Sequence, residues 1–410
     1  MLAPERRTRA DIVIAAAIAA LVAIAAVVVW WTSDARSTES VTADRTLTSP
    51  PTPDHLPSDL RELWHAPDGA AQRALTVGGV AVTADGSTVT GRDPRTGEQV
   101  WMYRRDLPLC GVESQFGMVV ATYRDDRGCS QTTQLYGETG ARQTARSSYM
   151  DDRVELTVDG THVLALGPRR LEMWRSDLVR TLEYGYVDAP VNPNTQPRSG
   201  CRFLSAASSS KNLAVLERCP DEDADRLTVQ NSAPKDATVP DVHSSHVLTA
   251  PGGADENARV LAVSDSRVAL YLPRSGSSEP RLALYDISGN PVANYPLPAD
   301  LTDGARTARI GSTVYAFTGN SLIALNSTTL APSWILESVL GTPALMSGRL
   351  LVPVADGLAA VAPDTGATSS LITVRRSDYH GEPISVAVVG PTVLERRGGQ
   401  LYALGGGDAP

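Results

Sequence analysis

The 410-residue sequence predicts an all-β fold built from one repeated unit, and three observations carry the prediction. The first is a strand, turn and strand at 83–104: Asp93, Thr96 and Gly97 shape the turn, and Val100, Trp101, Met102 and Tyr103 alternate beyond it. The second is recurrence. Residues 326–334 repeat the spacing from turn to tryptophan, ending at Trp334, and 358–366 repeat the strand and its Thr365-Gly366 pair. The third is how the series ends: the last copy stops one strand short, while 60–65 precedes the first copy as a strand without a partner. At a mean period of about 44 residues the copies read as four-stranded blades. The predicted architecture is an eight-bladed β-propeller closed by an N-terminal strand and preceded by one transmembrane helix.

Taken in order, 1–10 form a short cytoplasmic tail carrying Arg6, Arg7 and Arg9, and 11–31 the transmembrane helix. Its uncharged run, 12–31, spans roughly 30 Å at 1.5 Å per residue, the thickness of a bilayer core. The arginines hold the N-terminus inside, so the remainder faces outward, with Trp30 and Trp31 at the outer interface. A cleaved signal peptide would have a shorter apolar core, and a buried soluble helix would show a polar stripe. No cysteine lies near the end of the run to take a lipid. Residues 32–59 are rich in Ser and Thr, with Pro50, Pro51, Pro53 and Pro57, and read as a disordered stalk.

The propeller occupies 60–405, and 406–410 form a tail. Its repeats open near Leu75, Val112, Glu155, Phe203, Val260, Ala308, Pro343 and Ile384. The eighth ends after 400–404, so 60–65 is expected to supply its outer strand and zip the two chain ends together, leaving no free edge.

Outside the cytoplasm thiols pair, and the register assigns the pairs. Cys110 stands before the first strand of the second repeat and Cys129 after its second strand; Cys201 and Cys219 take the same two places in the fourth. Those places fall at one end of a hairpin, so the expected disulfides are Cys110–Cys129 and Cys201–Cys219. Each would stabilise the fold by about 3 kcal/mol in the chain-entropy account. Four buried free thiols or a zinc site are the alternatives, but no CxxC occurs.

The strand, Asp93, Thr96, Gly97, Glu98 and then Trp101 resemble the repeat of the pyrroloquinoline-quinone-like β-propellers. With its anchor and a body of this size, the chain is similar to the propellers related to the outer-membrane assembly scaffold BamB, which are binding platforms. The pattern departs at Ala362, where the motif has Asp, and at Leu330, where it has Gly. Within such repeats the Thr-Gly turn and the tryptophan are structural: the glycine takes positive φ and the indole fills the space between blades. A quinone dehydrogenase of this fold would hold an adjacent Cys-Cys pair, which is absent here.

Other candidates reduce to plainer readings. His243 and His246 lack a third metal ligand at a recognisable spacing, and 221–225 lacks the alternating ligands of a calcium loop. The pairs Arg104-Arg105, Arg169-Arg170, Arg375-Arg376 and Arg396-Arg397 read as scattered solubilising charge rather than a grip on an acidic partner or wall polymer. The net charge of −9 argues against nucleic acid. The expected function is non-catalytic, with no cofactor and no metal: a single-pass membrane protein presenting a rigid disc to an envelope protein or cell-wall component. A binding protein for a small ligand in the central channel is the alternative, and a quinone-dependent dehydrogenase the remote one.

Overall fold

The computed structural model describes residues 8–33 and 36–406; Arg6 and Arg7 of the expected basic flank, and 407–410 of the expected tail, lie outside the described residues. One helix, α1 (Arg9–Thr32), opens on a reciprocal cap in which Thr8 Oγ1 accepts from the Asp11 amide at 3.2 Å and Asp11 Oδ2 accepts from the Thr8 amide at 2.8 Å. From Ile12 to Trp31 its side chains are exposed on every side, so no stripe faces the body. Among the described residues it is the one helix long and apolar enough to cross a membrane.

The rest is strand. Sheet A orders Thr38–Val41, Gln99–Arg105, Thr88–Arg92, Val80–Asp85 and Leu75–Val77. Five four-stranded antiparallel meanders follow: B (109–147), C (155–185), D (202–247), E (259–296) and F (306–337). Nine-stranded sheet G joins a meander at 344–374 to another at 384–405 through Asp59–Pro67. That strand runs antiparallel to Gln400–Gly405, with Arg61 opposite Gly405 and Pro67 opposite Gln400, and parallel to the end of Thr368–Val374.

Burial follows position within each meander. The third strand of F, Ser321–Leu325, is buried throughout because sheets cover both its faces, whereas the outer strand Pro332–Glu337 alternates. First strands crowd one another: Leu75–Val77 touches both Leu109–Gln115 and Ile384–Val389, and Arg202–Ser208 touches Arg259–Val263. Apolar clusters bridge successive sheets. One joins Trp101 and Tyr103 of A to Val119 and Tyr123 of B; another joins Ala74 and Ala81 of A to Leu394 and Leu401 of G, so the first and last sheets share a core.

Residues 36–58 differ from the expected disordered stalk. Thr38–Val41 adds a fifth strand to the outer edge of A, with Thr38 opposite Arg105 and Val41 opposite Met102. The chain then crosses the body: the Ala43 amide donates to Thr139 O at 2.9 Å, and Pro53 O accepts from Ser347 Oγ at 2.6 Å. Ser49 and Pro50 lie against Gly79 and Gly390. All of these partners sit in turns between first and second, or third and fourth, strands, so the strap lies on one face. Composition predicted disorder because the segment has little apolar area of its own; it is held by backbone pairing and the turns it crosses.

Candidate functional site

The turn that organises the sequence is built from local hydrogen bonds. Asp93 Oδ1 accepts from the amides of Arg95 at 2.8 Å and Thr96 at 3.1 Å, and Asp93 O accepts from the Gly97 amide at 2.9 Å. Gly97 lies at φ 75° and Gly366 at φ 72°, a region in which glycine meets no Cβ penalty. At the turn before Trp334, Asn326 Oδ1 does the work of the aspartate, accepting from Thr328 at 3.0 Å and Thr329 at 2.9 Å. Ala362 offers no side-chain acceptor, but the Gly366 amide still donates to its carbonyl at 2.9 Å, and Thr365 Oγ1 accepts from the Ala367 amide at 3.3 Å.

Where such a turn carries glycine at 97, 140 or 366, it is the seat of an indole from a neighbouring sheet. Trp101 of A is fully buried, donates from Nε1 to Gly137 O at 2.8 Å, and lies so close over Gly140 that a Cβ there would be 2.6 Å from its ring. Trp334 of F donates to Pro363 O at 2.8 Å over Gly366, and Trp64 of G donates to Pro94 O at 3.0 Å over Gly97. The turn glycine therefore answers two demands, a positive φ and an absent side chain beneath a ring. His246 of D takes the same place over Gly289 of E, with Nε2 3.2 Å from Ser288 O. The repeat pattern contained this equivalence at Asp286 and Gly289, but a histidine in the tryptophan's place hid it.

The cysteines form two disulfides, Cys110–Cys129 and Cys201–Cys219. Both brace the end opposite the strap. Cys129 adjoins a cleft of about 680 Å³ lined by Arg127, Tyr149, Asp151, Arg169 and Tyr186. There Arg127 stacks 5.9 Å over the Tyr149 ring and Arg169 5.1 Å over Tyr186.

The arginine pairs correct the reading of scattered surface charge. Arg104, Arg169 and Arg375 are exposed, Arg396 is largely buried and meets buried Asp68 at 3.4 Å, and the second member of every pair turns inward. Arg105 and Arg170 are buried, Arg376 meets buried Glu395 at 2.8 Å, and Arg397 is buried over Tyr402. Arg170 joins Arg146 and Arg180 around Glu172 and Glu183, with Trp174 Nε1 donating to Glu172 at 2.8 Å. Sequence reasoning missed these networks because an acidic partner distant in the chain leaves no local signal.

Two buried carboxyls stand apart. Burial pushes Glu217 up to about 7 against hydrogen bonds from Thr228 and Tyr184, and pushes Asp68 up to about 7 against the Ala84 amide and Arg396. Neither opens on a described cleft. Among the described residues no three His, Cys, Asp or Glu side chains are placed to hold a metal. In 221–225, Asp225 grips Arg218 at 2.7 Å and Glu222 grips Arg226, so two of its carboxylates are spent on ion pairs.

No known protein family matches the sequence, and no curated protein does. Solved structures do. The C-terminal WD40 domain of Sif2 aligns over 86% of this chain and 99% of its own, at 10% identity and a TM-score of 0.52. The computationally designed Ika8 protein aligns over 84% and 99%, at 13% identity and 0.53. BamB from Moraxella catarrhalis covers 86% and 99% at 15% identity, with a TM-score of 0.46. WD40 repeats build propellers from four-stranded blades, and this chain carries four-stranded meanders along its length. Its fold is a β-propeller.

Proposed function

We propose that the chain is a single-pass membrane protein whose extracytoplasmic domain is an eight-bladed propeller acting as a non-catalytic protein-binding scaffold in the cell envelope. In this reading sheets A to F are six blades and G is two, the last completed by Asp59–Pro67. The observation that carries it is the antiparallel pairing of Asp59–Pro67 with Gln400–Gly405, which in this reading closes the ring into a rigid disc fixed to an anchor. Two disulfides suit an oxidising compartment, and the exposed apolar circumference of α1 suits lipid.

A channel ligand is less well supported. The strap crosses inner-strand turns at one face, and Arg306, opening the first strand of F, donates to Gln72 Oε1 at 3.0 Å beside the first strand of A. The scaffold reading is tested by photocrosslinking from the loops of both faces in native membranes, followed by mass spectrometry. One envelope protein, recovered repeatedly from loops of a single face and lost on mutating them, is the expected result; uniform capture without site dependence contradicts it. Pyrroloquinoline quinone with calcium should change neither thermal stability nor dye reduction.

A further inference from the structure

We propose that the groove between sheets D and E is a docking site for a tryptophan side chain carried by a partner protein. Three contacts between sheets are closed by an indole over a turn glycine: Trp64 on Gly97, Trp101 on Gly140 and Trp334 on Gly366. Two others lack the tryptophan and close differently. Their turns carry leucine at positive φ, Leu178 at 61° and Leu330 at 57°, and those side chains, 2% and 1% exposed, fill the space themselves.

The D–E contact has neither device. Its turn keeps glycine, Gly289 at φ 82°, and its strand offers only the smaller imidazole of His246. What remains is an open groove of about 760 Å³ lined by His246, Leu248, Pro251, Tyr285, Pro291 and Asn294. The prolines, leucine and tyrosine supply apolar walls for a planar ring, and the exposed Asn294 carboxamide supplies an acceptor for an indole N–H.

The occupant is a polypeptide rather than a free aromatic because the groove runs beside an edge. Pro291–Pro296 is the outer strand of E and has no fifth strand, whereas the outer strand of A is already extended by Thr38–Val41. The protein thus shows in one sheet the strand addition that a tryptophan-bearing segment would make in another.

This inference rests on the scaffold reading and refines it, and its test is independent of the crosslinking experiment. The full-length chain in nanodiscs is titrated calorimetrically with a capped peptide of its own strand Pro332–Glu337, with the same peptide bearing alanine for tryptophan, and with indole. The tryptophan peptide should bind saturably and at least tenfold more tightly than either control. His246→Trp, which fills the groove from within, and Asn294→Lys, an exposed change that obstructs it, should each weaken binding at least tenfold. Equal affinity for the alanine peptide, no saturable binding, or variants that bind as the parent does would overturn the proposal. Indole binding as tightly as the peptide would overturn its assignment to a protein partner.

Discussion

Trp101 shows how one side chain serves two sheets, since its ring is fully buried and its N–H ends on a carbonyl of B. Trp101→Ala should lower stability by about 3–5 kcal/mol through the cavity it leaves. Trp101→Phe should cost less, because the ring remains and only the hydrogen bond goes. Urea midpoints at constant slope measure both, and a loss under about 1 kcal/mol for the alanine variant would deny the indole its role. Glu217 makes a pH prediction. Its folded pKa is raised by burial to about 7, so the folded protein holds a proton between about 4.5 and 7 that the unfolded chain has released. That contribution is complete below the unfolded pKa and is lost as pH rises through 7. Glu217→Gln should therefore flatten the fall in stability between pH 5 and 8 and gain on the order of 2 kcal/mol at pH 8. An unchanged slope would contradict the shift.

At the scale of elements, the strands were legible and the strap was not. First strands begin at Leu75, Leu109, Glu155, Arg202, Arg259, Arg306, Ala344 and Ile384, within a few residues of the predicted openings, because alternation and turn residues are local properties. The disulfides followed from the same register. Thr38–Val41 was not legible: its side chains are largely exposed and its hydrogen-bond partners lie more than sixty residues away. Arg170 likewise reads as surface charge in the sequence, and packing against Glu172 and Glu183 buries it. In the proposed membrane-anchored reading, the strap shortens the tether between α1 and the body. Between Thr32 and Thr38 only residues 33–37 remain, a tether of at most about 20 Å. The outer edge of A should therefore sit at the bilayer instead of being lifted from it. A fluorophore at residue 104 should be quenched by headgroup-labelled lipid more strongly than one at residue 294, on the outer strand of E; equal quenching would restore the free stalk.

At the scale of the molecule, the two ends of the body are joined by strand pairing and a common core. A shared apolar cluster joins Ala74 and Ala81 to Leu394 and Leu401, and the bond from the Ala74 amide to Ser385 Oγ spans 3.1 Å. In the proposed ring, this pairing leaves no end blade free to peel from its neighbour and holds the loops in fixed relation. The most direct test is a cysteine pair across the closing strand, His65→Cys with Tyr402→Cys, positions that face each other in the register. Under mild oxidation, peptide mapping should recover the 65–402 bridge in nearly every chain, with both native disulfides intact. A folded protein in which those two cysteines stay unbridged would contradict the closed ring.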